Sequence, residues 1–286
     1  MLPVKDTVAA AESTFVTSTA PPAADPWQQY SLGKILGIWA LAAIPMGLLG
    51  WVVFPTLSPD SYSDPLGAGV MRTVLITTGL IWQFVLCMII VAREAGDLRW
   101  ATIKRRLRLN PPRDPTTGEP RARLWLWAIA LVIGFAAWEI AVAPNLSRLW
   151  VSIAPFFAEP SGYSLASLFQ SPDVMARLVG AWWFFGLFLV LALFNSILGE
   201  ELLFRGLLLP RMEGVFGRWS WLANGVLFGC YHVHQPWTIL SNAIGDSLFL
   251  AFPSWRFRST WMGVIVHCLQ NVFFMFLILG VVLGLA

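Results

Sequence analysis

Three short patterns of polar residues interrupt the apolar C-terminal half of this 286-residue chain. They are Glu-Glu-x-x-x-Arg at 200–205, Phe-x-x-x-His at 228–232 and His-x-x-x-Asn at 267–271. Carboxylates and imidazoles can activate a water molecule, and imidazole or carboxamide N–H groups can stabilise a developing oxyanion. Because ionisable side chains are costly in hydrocarbon, their presence inside apolar segments indicates a functional site.

The spacing of the first pattern separates the roles of its charged groups. Glu201 and Arg205 are four residues apart, so they can form an ion pair on one helix face that keeps Glu201 ionised. Glu200 lies about 100° round the helix and is therefore freer to act as a general base. His232, from the second pattern, is expected to share a water molecule with Glu200.

The second and third patterns supply the remaining candidates. His267 and Asn271 are four residues apart, so their side chains point to one side and are candidate donors to an oxyanion. Phe228 lies one turn before His232 and would seal the same pocket. His234 lies about 200° round a helix from His232 and is expected to face elsewhere.

Composition determines the fold class. The chain is 57% hydrophobic and only 12% charged, whereas soluble domains carry about a quarter charged residues. Uninterrupted apolar runs of about twenty residues predict transmembrane helices and not the alternating strands of a barrel. The sequence therefore predicts an all-α, polytopic transmembrane bundle of seven to eight spans. The net charge of +3 is explained by basic loops, so no nucleic-acid partner is expected.

The apolar runs predict the positions of the spans. The fourth is too long for one crossing and is expected to be tilted or broken around Gly199. A short run, Leu149–Ala158, is interpreted as an interfacial helix, with an eighth span as the alternative. The seven spans are predicted at about 34–54, 73–92, 124–143, 178–212, 219–232, 237–252 and 259–286.

The loop at 93–123 predicts the topology. It carries nine basic residues against four acids, so the positive-inside rule places it in the cytoplasm. Alternation of the spans then puts 211–218 and 253–258 on the same side. The protein is expected to be a multi-pass integral protein of a bacterial-type plasma membrane.

These basic turns give a depth for each polar pattern. At about 1.5 Å per helical residue, Glu200 lies about 16 Å from the basic side, His232 about 21 Å and His267 about 13 Å. Three separate helices thus bring polar groups to a similar layer of the bilayer, as one reaction site requires. Peptide hydrolysis there would need a water-filled cavity, expected to open on the cytoplasmic side.

Three such motifs in this order resemble those of the CAAX protease and bacteriocin-processing family (CPBP, or ABI family) of intramembrane proteases. Its eukaryotic branch includes the Ras-converting prenyl-protein protease. The resemblance covers roughly residues 180–275 and implies an all-helical core of about eight spans that hydrolyses peptide bonds of membrane-associated proteins or peptides. The roles it implies are water activation by Glu200 with His232, support by Glu201 and Arg205, and oxyanion stabilisation by His267 and Asn271.

The domain organisation follows from the spans and the resemblance. Residues 1–33 are predicted to form a flexible tail without a signal peptide. Residues 34–178 are predicted to form N-terminal transmembrane helices around the basic loop, and residues 179–286 the catalytic core that resembles the family.

Alternatives remain open at this point. A metal-independent glutamate mechanism without a cofactor is favoured, but Glu200, His232 and His267 together could hold zinc. The chain could instead be a non-enzymatic membrane scaffold or a proton-coupled transporter that retains the motifs. For Asp246 and Asn242, four residues apart in the sixth span, substrate contact and helix packing are both open. Glu139, near the outer end of the third span, is expected to be interfacial.

Overall fold

The structure is a computed structural model that describes residues 28–58 and 64–285, apart from the side chains at 166 and 167. Within those ranges the chain is helical and contains no β-strand, only an isolated bridge between Arg113 and Pro120. The predicted all-α class is therefore confirmed. Of the predicted tail at 1–33, residues 1–27 lie outside the described residues.

The helices are numbered here in chain order. Helix α9 consists of three consecutive pieces, Ile239–Asp246, Ser247–Ala251 and Phe252–Arg256, of which the middle piece is π-helical. The bounds are α1 Leu32–Leu57, α2 Pro65–Ala95, α3 Trp100–Arg106, α4 Ala122–Ala141, α5 Ala143–Ile153, α6 Pro172–Leu178, α7 Trp182–Arg211, α8 Ser220–Tyr231, α9 239–256 and α10 Thr260–Val282.

Helices α1, α2, α4, α7 and α10 are each long and apolar enough to cross a membrane. Helices α8 and α9 occupy the other two positions of the predicted series of seven. Helix α5 has 11 residues and is about 16 Å long, too short to cross about 30 Å of hydrocarbon. It packs beside the start of α9, where Trp150 Nε1 donates a hydrogen bond to the Pro236 carbonyl at 2.9 Å.

The largest buried cluster joins α1, α2, α7 and α8. At its centre the rings of Trp39 and Phe204 stack with centroids 4.3 Å apart, and Phe228 packs edge-on against Phe204 at 5.0 Å. A second cluster joins the first half of α7 to the end of α10 through residues such as Phe184 and Ile278. These clusters fix α7, which carries the first polar pattern, against helices on both sides.

Helix α7, which was expected to be tilted or broken around Gly199, is continuous through this residue. Its backbone is π-helical over Phe194–Gly199 and again over Glu201–Leu208. A Cβ atom at Gly199 would lie only 2.8 Å from the Leu80 carbonyl oxygen, so glycine allows α2 to approach closely. Short π-helical insertions occur often at functional sites, and this one surrounds Glu200.

The basic ends of the helices meet on one side of the bundle. Arg211, at the end of α7, is fully buried, and its Nη2 lies 3.1 Å from Glu94 Oε2 at the end of α2. Tyr30 donates its backbone N–H to the Arg211 carbonyl at 3.0 Å, and its hydroxyl bonds to Glu94. Thr260 N–H donates to the Arg108 carbonyl at 3.1 Å. The basic loop therefore packs against the ends of α1, α7 and α10, and this side is called the basic face below.

Candidate functional site

A cavity of about 710 Å³ lies between α2, α4, α7, α9, α10 and the turn after α8. Four of the six predicted site residues line it, namely Glu200, His232, His267 and Asn271. Phe228 lines it as well, as its position one turn before His232 predicts. The structure thus brings all three sequence patterns to one cavity inside the helical bundle.

Glu200 is held from several directions. It is 2% exposed, and its Oε2 accepts a hydrogen bond from Asn195 Nδ2 at 3.0 Å. The Tyr231 hydroxyl, which accepts a hydrogen bond from Gln83 Nε2 at 2.6 Å, also interacts with the Glu200 carboxylate. His267 Nε2 lies 3.9 Å from Glu200 Oε2. Side chains from α7, α8 and α10 therefore converge on this carboxylate.

Glu201 and Arg205 form the ion pair that their spacing predicts. Glu201 Oε1 lies 3.4 Å from Arg205 Nη1, and both side chains are fully buried. The guanidinium also lies over the Phe228 ring, 3.9 Å from its centroid. Neither charged residue lines the cavity. Their influence on a reaction must therefore pass through the residues that they contact.

His267 provides that connection. Its Nδ1 lies 3.2 Å from Glu201 Oε1, at hydrogen-bonding distance, while its Nε2 faces Glu200 Oε2. The ring therefore lies between the two glutamates, with Nδ1 facing Glu201 and Nε2 facing Glu200. Because a carboxylate only accepts hydrogen bonds, this arrangement places the N–H of the neutral ring on Nδ1 and directs Nε2 to the cavity.

His232 follows the last residue of α8. Its Nδ1 lies 2.8 Å from the carbonyl oxygen of Phe228. A carbonyl only accepts, so Nδ1 carries the proton and Nε2 is left as an acceptor. Since His232 lines the cavity, this nitrogen is available to a water molecule or substrate there.

His234 lines the same cavity, so the expectation that it faces elsewhere is wrong. Its ring is buried and lies nearly parallel to that of His232, with centroids 5.6 Å apart. The expectation assumed a helix through both residues, but α8 ends at Tyr231 and the following residues form a turn. The turn places both rings on the same side.

Asn271 is connected to Glu200 by hydrogen bonds through Asn195, a residue that none of the three sequence patterns contains. Its Nδ2 donates to Asn195 Oδ1 at 2.9 Å and also to Ser196 Oγ, while Asn195 donates to Glu200. Both N–H bonds of Asn271 are therefore in use, and donation to an oxyanion would require it to release one acceptor. Asn195 lies five residues before Glu200, and the π-helical backbone, with its i→i+5 repeat, aligns the two side chains.

The wall of the cavity that α4 and α9 form carries further polar residues. Glu139, near the end of α4 as expected for an interfacial residue, also lines the cavity and accepts a hydrogen bond from Gln270 Nε2 at 3.0 Å. Asn242 and Asp246 line it as well. Asn242 Nδ2 donates to Thr238 Oγ1 at 3.1 Å, whereas the carboxylate of Asp246 faces the cavity.

The cavity extends away from the basic face. On α7 its lining residues lie within 191–200, upstream of the buried Arg211. On α10 they lie within 267–274, beyond the end that packs on the basic loop, and on α4 they lie within 135–140, the last two turns. The expectation that the cavity opens toward the basic loop is therefore not met.

The arrangement of donor atoms bears on a metal. Within the ranges that the structure describes, no group of three or more His, Cys, Asp or Glu side chains is arranged to hold a metal ion. Of the three residues considered as zinc ligands, His232 has its Nδ1 on a carbonyl and His267 has its Nδ1 on Glu201. A chelation experiment tests whether activity depends on a metal ion.

Comparison with known proteins supports the resemblance seen in the motifs. Residues 181–273 match the family model described as Type II CAAX prenyl endopeptidase Rce1-like. The matched segment contains all three polar patterns, and the resemblance to the CAAX protease and bacteriocin-processing family is confirmed for this part of the chain. No curated protein matches the chain, and no solved structure matches it.

Proposed function

We propose that this chain, whose residues 181–273 match type II CAAX prenyl endopeptidases, is an intramembrane endopeptidase acting on a membrane-associated protein or peptide. The observation that carries the proposal is the meeting of Glu200, His232 and His267, from three separate helical segments, around one cavity. Glu200 Oε2 lies only 3.9 Å from His267 Nε2. That distance leaves the carboxylate and the imidazole able to act on the same substrate.

Water activation is assigned to Glu200 and His232. With its proton on Nδ1, His232 offers Nε2 as an acceptor that orients a water molecule in the cavity. Glu200 then takes a proton from that water as its oxygen attacks the peptide carbonyl. When the C–N bond breaks, the same proton passes from Glu200 to the departing nitrogen, so the carboxylate is regenerated.

Stabilisation of the oxyanion is assigned to His267, supported by Asn271. Glu201 fixes the ring of His267 through Nδ1 at 3.2 Å, which directs Nε2 into the cavity. A second proton, taken up on Nε2 from water in the cavity before the reaction, makes Nε2–H the donor to the oxyanion. Asn271 acts through Asn195, which it holds at 2.9 Å. The hydrogen bond to Glu201 preorganises His267 in a buried site, where such stabilisation is most effective.

The ion pair of Glu201 and Arg205 has a supporting role. Arg205 lies 3.4 Å from Glu201, and the same oxygen of Glu201 lies 3.2 Å from His267 Nδ1. The pair is fully buried and does not touch the cavity. It therefore positions the imidazole and does not contact substrate.

The orientation in the membrane is part of the proposal. The basic face packs the loop at 93–123 against the helix ends, and by the positive-inside rule it lies in the cytoplasm. Since the cavity extends away from that face, substrate reaches the site from the bilayer or from the opposite side. The protein is integral to a membrane in either case.

The test of function uses the purified chain in proteoliposomes and a library of membrane-associated peptides. We expect cleavage at defined peptide bonds, identified by mass spectrometry. Vesicles in which the basic loop is enclosed should cleave peptides added outside, whereas vesicles of opposite orientation should cleave only after permeabilisation. Solute uptake or proton movement without any peptide cleavage would reject the protease and favour the transporter alternative.

Chelation tests the proposed absence of a catalytic metal. Incubation of the proteoliposomes with 1,10-phenanthroline, followed by its removal, should leave the cleavage rate within about twofold of the untreated sample, because Glu200 and His232 activate water directly. An inactive chelator isomer is the control for nonspecific effects. Loss of activity that added Zn²⁺ restores would contradict the metal-independent mechanism.

A further inference from the structure

The wall of the cavity carries acidic side chains that the proposed mechanism does not use. Three carboxylates line it, Glu139, Glu200 and Asp246, and among the described residues that line it there is neither a lysine nor an arginine. The proposed mechanism uses only Glu200. The other two lie on α4 and α9, opposite the catalytic helix.

Asp246 gives the main evidence for what this wall binds. It is 7% exposed and lines the cavity, yet no side chain in the described ranges makes a hydrogen bond or ion pair with its carboxylate. Arg205 lies within electrostatic range of Asp246, but it forms its ion pair with Glu201 and lies over Phe228. An ionised carboxylate is costly to bury without a cation, so a cation brought by a ligand would be stabilised beside Asp246.

Close packing of α4 on α9 brings Glu139 to the same wall. A Cβ atom at Gly245 would lie 2.5 Å from Trp138 Nε1, so the glycine allows the indole to rest against the α9 backbone. Glu139 and Asp246 follow these two contact residues directly in sequence. The Asp246 carboxyl group lies within electrostatic range of both Glu139 and Glu200.

We propose that Asp246 and Glu139 form a subsite for a basic side chain, lysine or arginine, of the peptide substrate. This inference rests on the proposed endopeptidase function and specifies its substrate. An ammonium or guanidinium group placed between the two carboxylates offsets the burial of both, and in a low dielectric such a pair is worth more than in water. Since Asp246 lies within electrostatic range of Glu200, the basic residue lies close to the cleaved bond.

The experiment compares two peptides that differ only in one residue near the cleavage site, lysine in one and its uncharged analogue norleucine in the other. Wild-type protein in proteoliposomes should cleave the lysine peptide with a kcat/KM at least about tenfold higher. Asp246→Asn, which keeps the side-chain size, should reduce that ratio to about threefold or less, and Glu139→Gln should reduce it partially. Glu119→Gln, the same change in the exposed basic loop, should leave the ratio at the wild-type value.

A binding measurement separates this subsite from catalysis. Fluorescence anisotropy of the two labelled peptides with the Glu200→Gln variant in nanodiscs should show the same preference for lysine, lost on addition of Asp246→Asn. Cleavage of both peptides at equal rates by the wild type would overturn the subsite while leaving the protease function intact. Failure to cleave any peptide would instead reject the protease and this inference together.

Discussion

Replacing Glu200 by Gln should lower the peptide cleavage rate by about 10²- to 10⁴-fold, the range expected when a general base is removed. Glutamine keeps the size of the side chain and can still accept a hydrogen bond from Asn195, which donates its Nδ2–H to Glu200 Oε2 at 3.0 Å in the wild type. It cannot, however, take a proton from water. The rate constant should fall with little change in KM, because the lost interaction acts on the transition state. Single-turnover cleavage in proteoliposomes, followed by mass spectrometry, measures this directly.

Two variants accompany that measurement. Asn195→Ala should reduce the rate less, by about tenfold, because it removes only the hydrogen bonds that position Glu200 and Asn271. Glu119→Gln makes the same chemical change as Glu200→Gln at an exposed position and should leave the rate unchanged. A Glu200→Gln protein that melts at the wild-type temperature and cleaves within threefold of the wild type would exclude this carboxylate as the base.

Replacing Arg205 by Met should destabilise the protein strongly. The guanidinium and the Glu201 carboxylate are both fully buried, 3.4 Å apart, so the substitution leaves a buried carboxylate without its cation. Removing one partner of such a pair typically lowers the free energy of unfolding by about 3–5 kcal/mol. The thermal midpoint in detergent should fall clearly, and cleavage should be lost because Glu201 no longer holds His267 in place.

The double variant Glu201→Gln with Arg205→Met distinguishes stability from catalysis. With both charges gone, most of the lost stability should return, since replacing a whole buried ion pair by uncharged groups is often nearly neutral. Cleavage should nevertheless remain low, because His267 Nδ1 has lost its carboxylate partner. A single Arg205→Met variant as stable as the wild type, or a double variant as active, would contradict this role of the pair.

Several features of the fold were predictable from the sequence because they depend on local properties. Run lengths of apolar residues identify membrane-spanning helices. The five long apolar helices overlap the predicted spans, although α2 begins at Pro65, eight residues before the predicted start at Thr73. The ion pair between Glu201 and Arg205 follows from a four-residue spacing. Proximity of the three polar patterns followed from their depth below the basic turns, a length measured along each helix.

Other features depend on departures from regular helical geometry. Asn195 aligns with Glu200 because α7 is π-helical at this point, and no residue pattern predicted that insertion. His234 joins the cavity because α8 stops at Tyr231, so the helical projection from His232 no longer applies. For His234, the projection that assumed about 3.6 residues per turn gave the wrong orientation.

The sequence by itself determined that the chain forms apolar helices, which ionisable groups lie inside them, and which groups share a face, because hydropathy and spacing act within one helix. Only the tertiary structure decided that the cavity extends away from the basic face, that Asn271 is hydrogen-bonded to Asn195, and that Glu139 and Asp246 both line the cavity. These depend on how closely helices approach each other, as Gly199 allows α2 and Gly245 allows α4. Interhelical distance is set by the packing of all the side chains together, so no single pattern in the chain encodes it.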